Sequence, residues 1–117
     1  MNGKFKDLLK GLKQEGVLGV AAIDKEGNVI ESDIPPDAHP ETFGIMCATI
    51  IGASNSVNSE LEHGSVKRTI VDSAKGKLII ANTKTDLILA VVVEKSQRLD
   101  VLFDDIDAAA KQMNQLV

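Results

Sequence analysis

The segment TFGIMCATIIGASNSVNS, from Thr42 to Ser59, carries no charged residue over eighteen positions. Pro40 and Glu41 precede it, and both residue types suit the first turn of a helix. The segment therefore predicts a long helix from Glu41 to about Glu62. A surface helix ordinarily places charged residues on its water-facing side, and this one has none to place. It is not a membrane span, because the stretch Ser54–Ser59 is too polar.

Helical spacing separates two faces on this segment. We expect an apolar face to pack on a sheet, formed by Phe43, Cys47, Ile50, Val57 and Leu61. A second face carries a small residue at every fourth position, namely Gly44, Ala48, Gly52 and Ser56. Each glycine costs about 1 kcal/mol relative to alanine inside a helix, so the two glycines need an offset. Close contact with a second helix would supply it, and in a symmetric dimer that helix would be its own copy. Tight packing of both glycines on their own sheet is the alternative.

The flanking sequence supplies two further helices and five strands. An amphipathic helix carries Phe5, Leu8, Leu9 and Leu12, and a last helix runs from Leu99 to Val117. The predicted strands are Val17–Asp24, Val29–Ser32, Ser65–Asp72, Lys77–Asn82 and Asp86–Glu94. Short polar turns favour antiparallel hairpins, and the continuous apolar runs of the last two strands require cover on both sheet faces. The order α-β-β-α-β-β-β-α predicts one α+β domain over residues 1–117. If the third strand lies at the sheet edge, it could also join its own copy.

Composition excludes several function classes. The chain has 117 residues, no Trp or Tyr and three Phe, so the core must be built from aliphatic side chains and no platform for stacking bases exists. A net charge of −4 disfavours nucleic acid and anionic membranes as partners. The single cysteine, Cys47, forms no internal disulfide, which favours a reducing cytoplasm. We expect no secretory signal, membrane insertion or lipid anchor, because charged residues interrupt Met1–Lys13 and no apolar run reaches spanning length.

No cluster of residues resembles an active site. Gly76-Lys77 lacks the upstream glycine of a phosphate-binding loop. His63 with Glu60 and Glu62 does not match a familiar metal spacing, so these residues indicate a solvated helix end.

Single reactive residues also have ordinary interpretations. His39 suits a linker or cap, and Cys47 suits a small buried apolar position. Arg68 and Arg98, the two arginines, could in principle be donated to a nucleotide site, but salt bridges are favoured. The acidic residues Asp104, Asp105 and Asp107 indicate a solvated helix face. We therefore expect a protein that is not an enzyme and holds no cofactor.

The chain resembles roadblock-type dynein light chain domains. The resemblance rests on the opening helix, the segment Gly16–Val20 with Asp24 and Gly27, and the small-residue helix. It also rests on the strand ending near Asp72, the pair of strands at Leu78–Asn82 and Leu87–Val93, and the amphipathic last helix. Together these features cover nearly the whole chain.

The resemblance implies a five-stranded antiparallel sheet with the middle helix on one face and the two terminal helices on the other, as in profilin-like folds. It also implies a homodimer in which middle helices pair and third strands join. The dimer surface carried over comprises Gly44, Ala48, Gly52, Ser56, Lys67 and Thr69. Family members bind and regulate Ras-like small GTPases or serve as scaffolds, and a bacterial relative stimulates its GTPase without supplying a catalytic residue.

Three functions remain open at this point. The first is a non-catalytic dimeric adaptor that regulates a Ras-like small GTPase. The second is a structural scaffold subunit of a larger complex, dynein-like or recruited to a membrane, with no nucleotide-linked partner. The third is a small-molecule sensor or enzyme, which a well-formed polar pocket would favour.

Overall fold

A computed structural model describes residues 2–117 of the chain. Met1, the first residue of the predicted domain, lies outside the described residues. The elements follow one another as α1 (Asn2–Leu12), β1 (Val17–Asp24), β2 (Val29–Asp33), α2 (Pro40–Glu60), β3 (Arg68–Asp72), β4 (Gly76–Asn82), β5 (Leu87–Glu94) and α3 (Leu99–Gln115). This is the predicted element order. The strand preceding β4 is shorter than expected, because Ser65–Lys67 lies outside β3.

The five strands form one antiparallel sheet in the order β2-β1-β5-β4-β3. The long apolar strands β1 and β5 lie inside the sheet, where each has a neighbour on both sides and a register that aligns Ala21 with Ala90. The outer strands β2 and β3 each present one unpaired edge within the chain. The third strand therefore lies at a sheet edge, which is the condition set above for it to join its own copy.

Both faces of the sheet are covered, as the continuous apolar runs of β4 and β5 predict. On one face, α1 and α3 pack over alternate strand residues with buried side chains that include Phe5, Leu9 and Ile106. On the other face, α2 packs over the remaining strand residues through Cys47 and Ile51. The predicted arrangement, with one helix on one face and the two terminal helices on the other, is confirmed.

The β1–β2 turn is fixed by the carboxylate of Asp24. Its Oδ1 accepts hydrogen bonds from the backbone N–H groups of Glu26 and Asn28, both at 2.9 Å, and its Oδ2 accepts one from Asn28 Nδ2 at 3.0 Å. Gly27 has φ +97°, a left-handed conformation that favours glycine. The turn is thus rigid, and it forms the surface on which the first part of α2 packs.

Helix α2 crosses the sheet from the β1–β2 turn to the opposite edge. Gly44 lies over the turn, whereas the Ser54 hydroxyl accepts a hydrogen bond from Thr69 of β3 at 2.9 Å. The path of α2 decides which of its side chains reach the core. Of the predicted sheet-facing residues, Phe43, Cys47 and Ile50 contact the core, but Val57 and Leu61 do not.

Candidate interaction surface: helix α2 and edge strand β3

Helix α2 turns an uncharged face away from the sheet. The exposed residues Met46, Thr49, Ala53 and Val57 recur at helical spacing along it, and we call them the outer face of α2. Met46 and Val57 are each 61% exposed. Solvated helix faces ordinarily carry charged residues, and this one has none between Thr42 and Ser59. This exposed, uncharged helix face is therefore a candidate interaction surface.

The two glycines of the small-residue face have different surroundings. A Cβ atom on Gly44 would lie 2.5 Å from the carbonyl oxygen of Gly27 and 2.8 Å from a methyl group of Val29. Gly44 is buried, so its missing side chain serves close packing of α2 on its own sheet. This corrects the expectation that Gly44 faces a second helix. A Cβ on Gly52, in contrast, would meet nothing within 4 Å.

The remaining residues of the predicted dimer surface lie at varied depths. Gly52 and Ser56 are exposed, while Ala48 is half-buried at the flank of the helix. Thr69 is half-buried, and its hydroxyl is bonded to Ser54 within the chain. Lys67 is exposed but precedes β3 and is not part of it. The assignment of these five residues to a dimer stays a prediction.

Strand β3 ties the edge of the sheet to the helices on both faces. Thr69 points toward α2, and Arg68, its neighbour, points toward α3. The Arg68 guanidinium lies 4.1 Å from the centroid of the Phe103 ring and pairs with the Asp107 carboxylate at 3.2 Å. These contacts hold β3 in place while its outer edge has no neighbouring strand in the chain. Helix α2 and the edge strand β3 are thus linked by the Thr69–Ser54 hydrogen bond.

Comparison with known proteins agrees with this architecture. The Roadblock/LC7 domain model matches residues 4–93. The chain belongs to the Roadblock/LC7 family. Among curated proteins, the roadblock chain is 26% identical over 109 residues to the uncharacterized protein MJ1340 of Methanocaldococcus jannaschii, covering 93% of this chain and 95% of that protein.

Solved structures share the roadblock fold at low sequence identity. MglB of Myxococcus xanthus is 15% identical with a TM-score of 0.90, covering 98% of this chain and 88% of that one. A Roadblock/LC7 domain from Streptomyces avermitilis is 17% identical with a TM-score of 0.85, covering 93% of each chain. LokiProfilin1, solved in complex with rabbit actin, is 19% identical with a TM-score of 0.66, covering 100% and 98%. At these identities the likeness establishes the fold, which roadblock and profilin-like domains share.

Reactive side chains of the roadblock domain occupy structural positions. Both arginines form the predicted salt bridges, since Arg98 pairs with Asp100 at 2.7 Å in addition to the Arg68 pair above. Cys47 is 1% exposed, and burial raises the pKa of its thiol to about 11, so it is a buried apolar residue as predicted. Residues 2–117 contain no group of three or more His, Cys, Asp or Glu side chains arranged to hold a metal ion. Nor does any described helix have the length and apolar character to cross a bilayer.

Sequence reasoning missed the outer face of α2. Val57 was expected on the sheet, and Met46, Thr49 and Ala53 were assigned to neither face. The signal that could have found them is the absence of charge itself, because every outward position in Thr42–Ser59 must be uncharged. Which residues point outward depends on how the helix is rotated against the sheet.

Proposed function

We propose that this roadblock domain is a cytoplasmic, non-catalytic homodimeric adaptor that binds and regulates a Ras-like small GTPase. The observation that carries the proposal is the uncharged outer face of α2, together with the free edge of β3. Membership of the Roadblock/LC7 family adds to it, because domains of this family are generally adaptors or regulators. The whole chain, residues 1–117, acts as one such domain.

The physical character of these two features supports self-association. Apolar side chains that are more than half exposed, such as Met46 and Val57, gain free energy when a partner removes them from water. The unpaired edge of β3 gains hydrogen bonds when another strand joins it. A two-fold axis can satisfy both at once, with α2 against its copy and β3 against its copy. Gly52 and Ser56, on the flank of the outer face, let the two helices approach closely.

A charge placed on the outer face tests the dimer. Light scattering at micromolar concentration is expected to give twice the 12.5 kDa chain mass for the unchanged protein. Ala53→Glu would bury a carboxylate without a partner at the helix pair, so the variant is expected to be monomeric. Gly52→Leu, whose Cβ would meet nothing within 4 Å in its own chain, is expected to weaken the dimer as well.

The matched control is Ala108→Glu. Ala108 is also an exposed alanine in the interior of a helix, on α3 at the opposite face of the sheet. This variant should retain the mass of a dimer. A monomeric mass for the unchanged protein would exclude the dimer, and equal masses for Ala53→Glu and Ala108→Glu would place the contact elsewhere.

The regulatory role rests on the paired surface. Two α2 helices side by side would present a composite surface that a single chain lacks, and a GTPase docking there would meet both subunits. Both arginines form salt bridges within the chain, and the proposed action donates neither of them to the nucleotide site. The proposed action is therefore to hold the switch segments of the GTPase in one conformation.

Binding to GTPases of the same cell tests this role directly. The purified protein is presented with Ras-like GTPases loaded either with GDP or with a non-hydrolysable GTP analogue. We expect binding that depends on the nucleotide and is lost with Ala53→Glu but not with Ala108→Glu. Failure of every GTPase to bind in either state would refute the role and leave the dimer standing. Stable partners that bind regardless of nucleotide would favour the structural scaffold subunit instead.

A further inference from the structure

A cavity with a volume of about 900 Å³ opens at the end of the sheet where β4 leads into β5. Its walls are the segment Gly64–Lys67, the β4–β5 turn and the last turns of α3, with Asn55 of α2 at one side. Cavities of roughly 300–1,000 Å³ are typical of small-molecule sites. This cavity, which we call the basic cavity, is distinct from the outer face of α2.

The lining is rich in positive charge. Four lysines line the basic cavity, Lys25, Lys67, Lys84 and Lys111, and none of them forms a salt bridge with a carboxylate among residues 2–117. The single acidic residue in the lining is Asp107, whose carboxylate is already paired with Arg68. The lining is therefore positive overall in a chain whose net charge is −4. It creates a positive potential at the mouth of a concave site.

Hydrogen bonds fix the two walls that carry these lysines. On one side, Asn82 Nδ2 donates to the Val66 carbonyl at 2.8 Å, and the Asn82 backbone N–H donates to the Lys67 carbonyl at 3.0 Å. On the other side, the Lys84 backbone N–H donates to Asn114 Oδ1 at 2.9 Å. The lysines therefore extend from anchored backbone, which reduces the ordering that a bound anion would require.

One side-chain oxygen of the lining residue Asn82 lacks a hydrogen-bond partner among the described residues. Asn82 Nδ2 also donates to Asn55 Oδ1 at 3.3 Å, whereas Asn82 Oδ1 is buried and accepts no hydrogen bond from residues 2–117. Exchanging the two amide atoms would place Oδ1 against the Val66 carbonyl, so the orientation is fixed by its neighbours. A buried acceptor without a donor costs about 1–3 kcal/mol. This oxygen is closed off from solvent and lacks a donor in the described part of the chain, so a phosphate group in the cavity would not satisfy it, and the groups that would bind an anion are the lysines.

We propose that the basic cavity binds a small phosphorylated molecule. Lysine ammonium groups bind phosphate oxygens as point charges, and several of them around one recess suit a group with two or more negative charges. A long nucleic acid fits less well, because the cavity lining contains no aromatic side chain and the chain as a whole is acidic. Lys67 belongs both to this lining and to the predicted dimer surface, whereas Lys84 and Lys111 lie on the β4–β5 turn and α3, so these two lysines test the cavity separately from the dimer.

Calorimetric titration of the full chain with inorganic pyrophosphate and with ATP, at low ionic strength, tests the site. The variant K84A/K111A removes two of the charges and leaves the Lys84 backbone contact intact. We expect its affinity for the tighter of the two probes to fall by about tenfold or more. The control K4A/K75A removes two exposed lysines outside the cavity, changes the net charge equally, and should bind like the unchanged protein.

Three results would overturn the proposal. One is the absence of binding by either probe at concentrations up to about 10 mM. Another is an equal loss of affinity in K84A/K111A and K4A/K75A, which would reflect net charge alone. The third is citrate, a polyanion without phosphate, or an acidic peptide binding as tightly as pyrophosphate, which would assign the cavity to carboxylates. Thermal unfolding of both double variants by circular dichroism verifies that each is folded.

Discussion

The same substitution at two glycines of α2 should have opposite effects on stability. In Gly44→Ala, the new methyl group would lie 2.5 Å from the Gly27 carbonyl oxygen, inside a turn that Asp24 holds rigid. Overpacking of this kind costs about 3 kcal/mol at the upper end of its usual range. The higher helix propensity of alanine stabilises the variant by about 1 kcal/mol, so we expect the free energy of unfolding to fall by about 2 kcal/mol. In Gly52→Ala the methyl group meets nothing within 4 Å, and we expect a gain approaching 1 kcal/mol.

Urea unfolding followed by far-ultraviolet circular dichroism measures both free energies. Because a dimer adds a concentration-dependent term to stability, all proteins are compared at equal concentrations over a dilution series, with the most dilute point giving the monomer value. The expected difference between the two variants is about 3 kcal/mol, which exceeds the uncertainty of the extrapolation. If Gly44→Ala were as stable as Gly52→Ala, the close contact with the β1–β2 turn would not exist and the rotation of α2 assigned above would be wrong.

Two further predictions concern titrating groups. Burial raises the pKa of Cys47 to about 11 from an ordinary value of 9.0, so the native thiol should react with a disulfide reagent at pH 8 about a hundredfold more slowly than in urea. Because the thiol pKa is higher in the folded state, the protonated Cys47 thiol contributes to the free energy of unfolding. This contribution is fully present below pH 9 and should be lost as the pH rises from 9.0 through about 11. Burial pushes the pKa of Asp24 upward, but hydrogen bonds from Asn28 and from the Glu26 and Gly27 backbone outweigh it and hold the pKa below its usual value. Asp24→Ala should therefore cost about 1–3 kcal/mol at pH 7, and in a pH series of urea unfolding the difference should shrink as the pH falls through the native Asp24 pKa. A difference that stayed constant down to acid pH would contradict the role of the ionised carboxylate.

The sheet was predictable because its signals are local. Continuous apolar sequence in Leu87–Glu94 requires cover on both faces whatever the rest of the chain does, and the structure buries residues on both faces of β5. Asp24 and Gly27 likewise predict a tight turn, because an aspartate side chain can accept backbone hydrogen bonds and glycine can adopt a positive φ. The overprediction of β3 has a different cause. Ser65–Lys67 alternates like a strand, but the Asn82 side chain binds the Val66 carbonyl and draws this segment into the wall of the basic cavity.

The orientation of α2 was not predictable from spacing. Its apolar residues occur nearly all around the helix, so several stripes fit equally well and periodicity cannot choose among them. Gly44 sets the rotation of α2 against the sheet, because it is the position at which the helix backbone can approach the Gly27 carbonyl. Once that contact sets the rotation, Ile51 points into the core and Val57 into water, at 1% and 61% exposure. The basic cavity was missed for a related reason, because its lysines are far apart in sequence and only the fold brings them together.

Contacts within the single chain explain the glycine at position 44 of α2, but they do not explain the glycine at position 52. The cost of Gly44 is offset within the chain, since any larger residue would push α2 off the β1–β2 turn. Gly52 carries the same cost of about 1 kcal/mol, yet in the single chain alanine would fit there without contact. A cost of this size is a noticeable fraction of the stability of a small domain. In the proposed homodimer, the offset comes from the second chain, whose α2 helix would pack where a Cβ on Gly52 meets no atom of its own chain within 4 Å. That second helix would meet the uncharged surface around Gly52 by apolar contact.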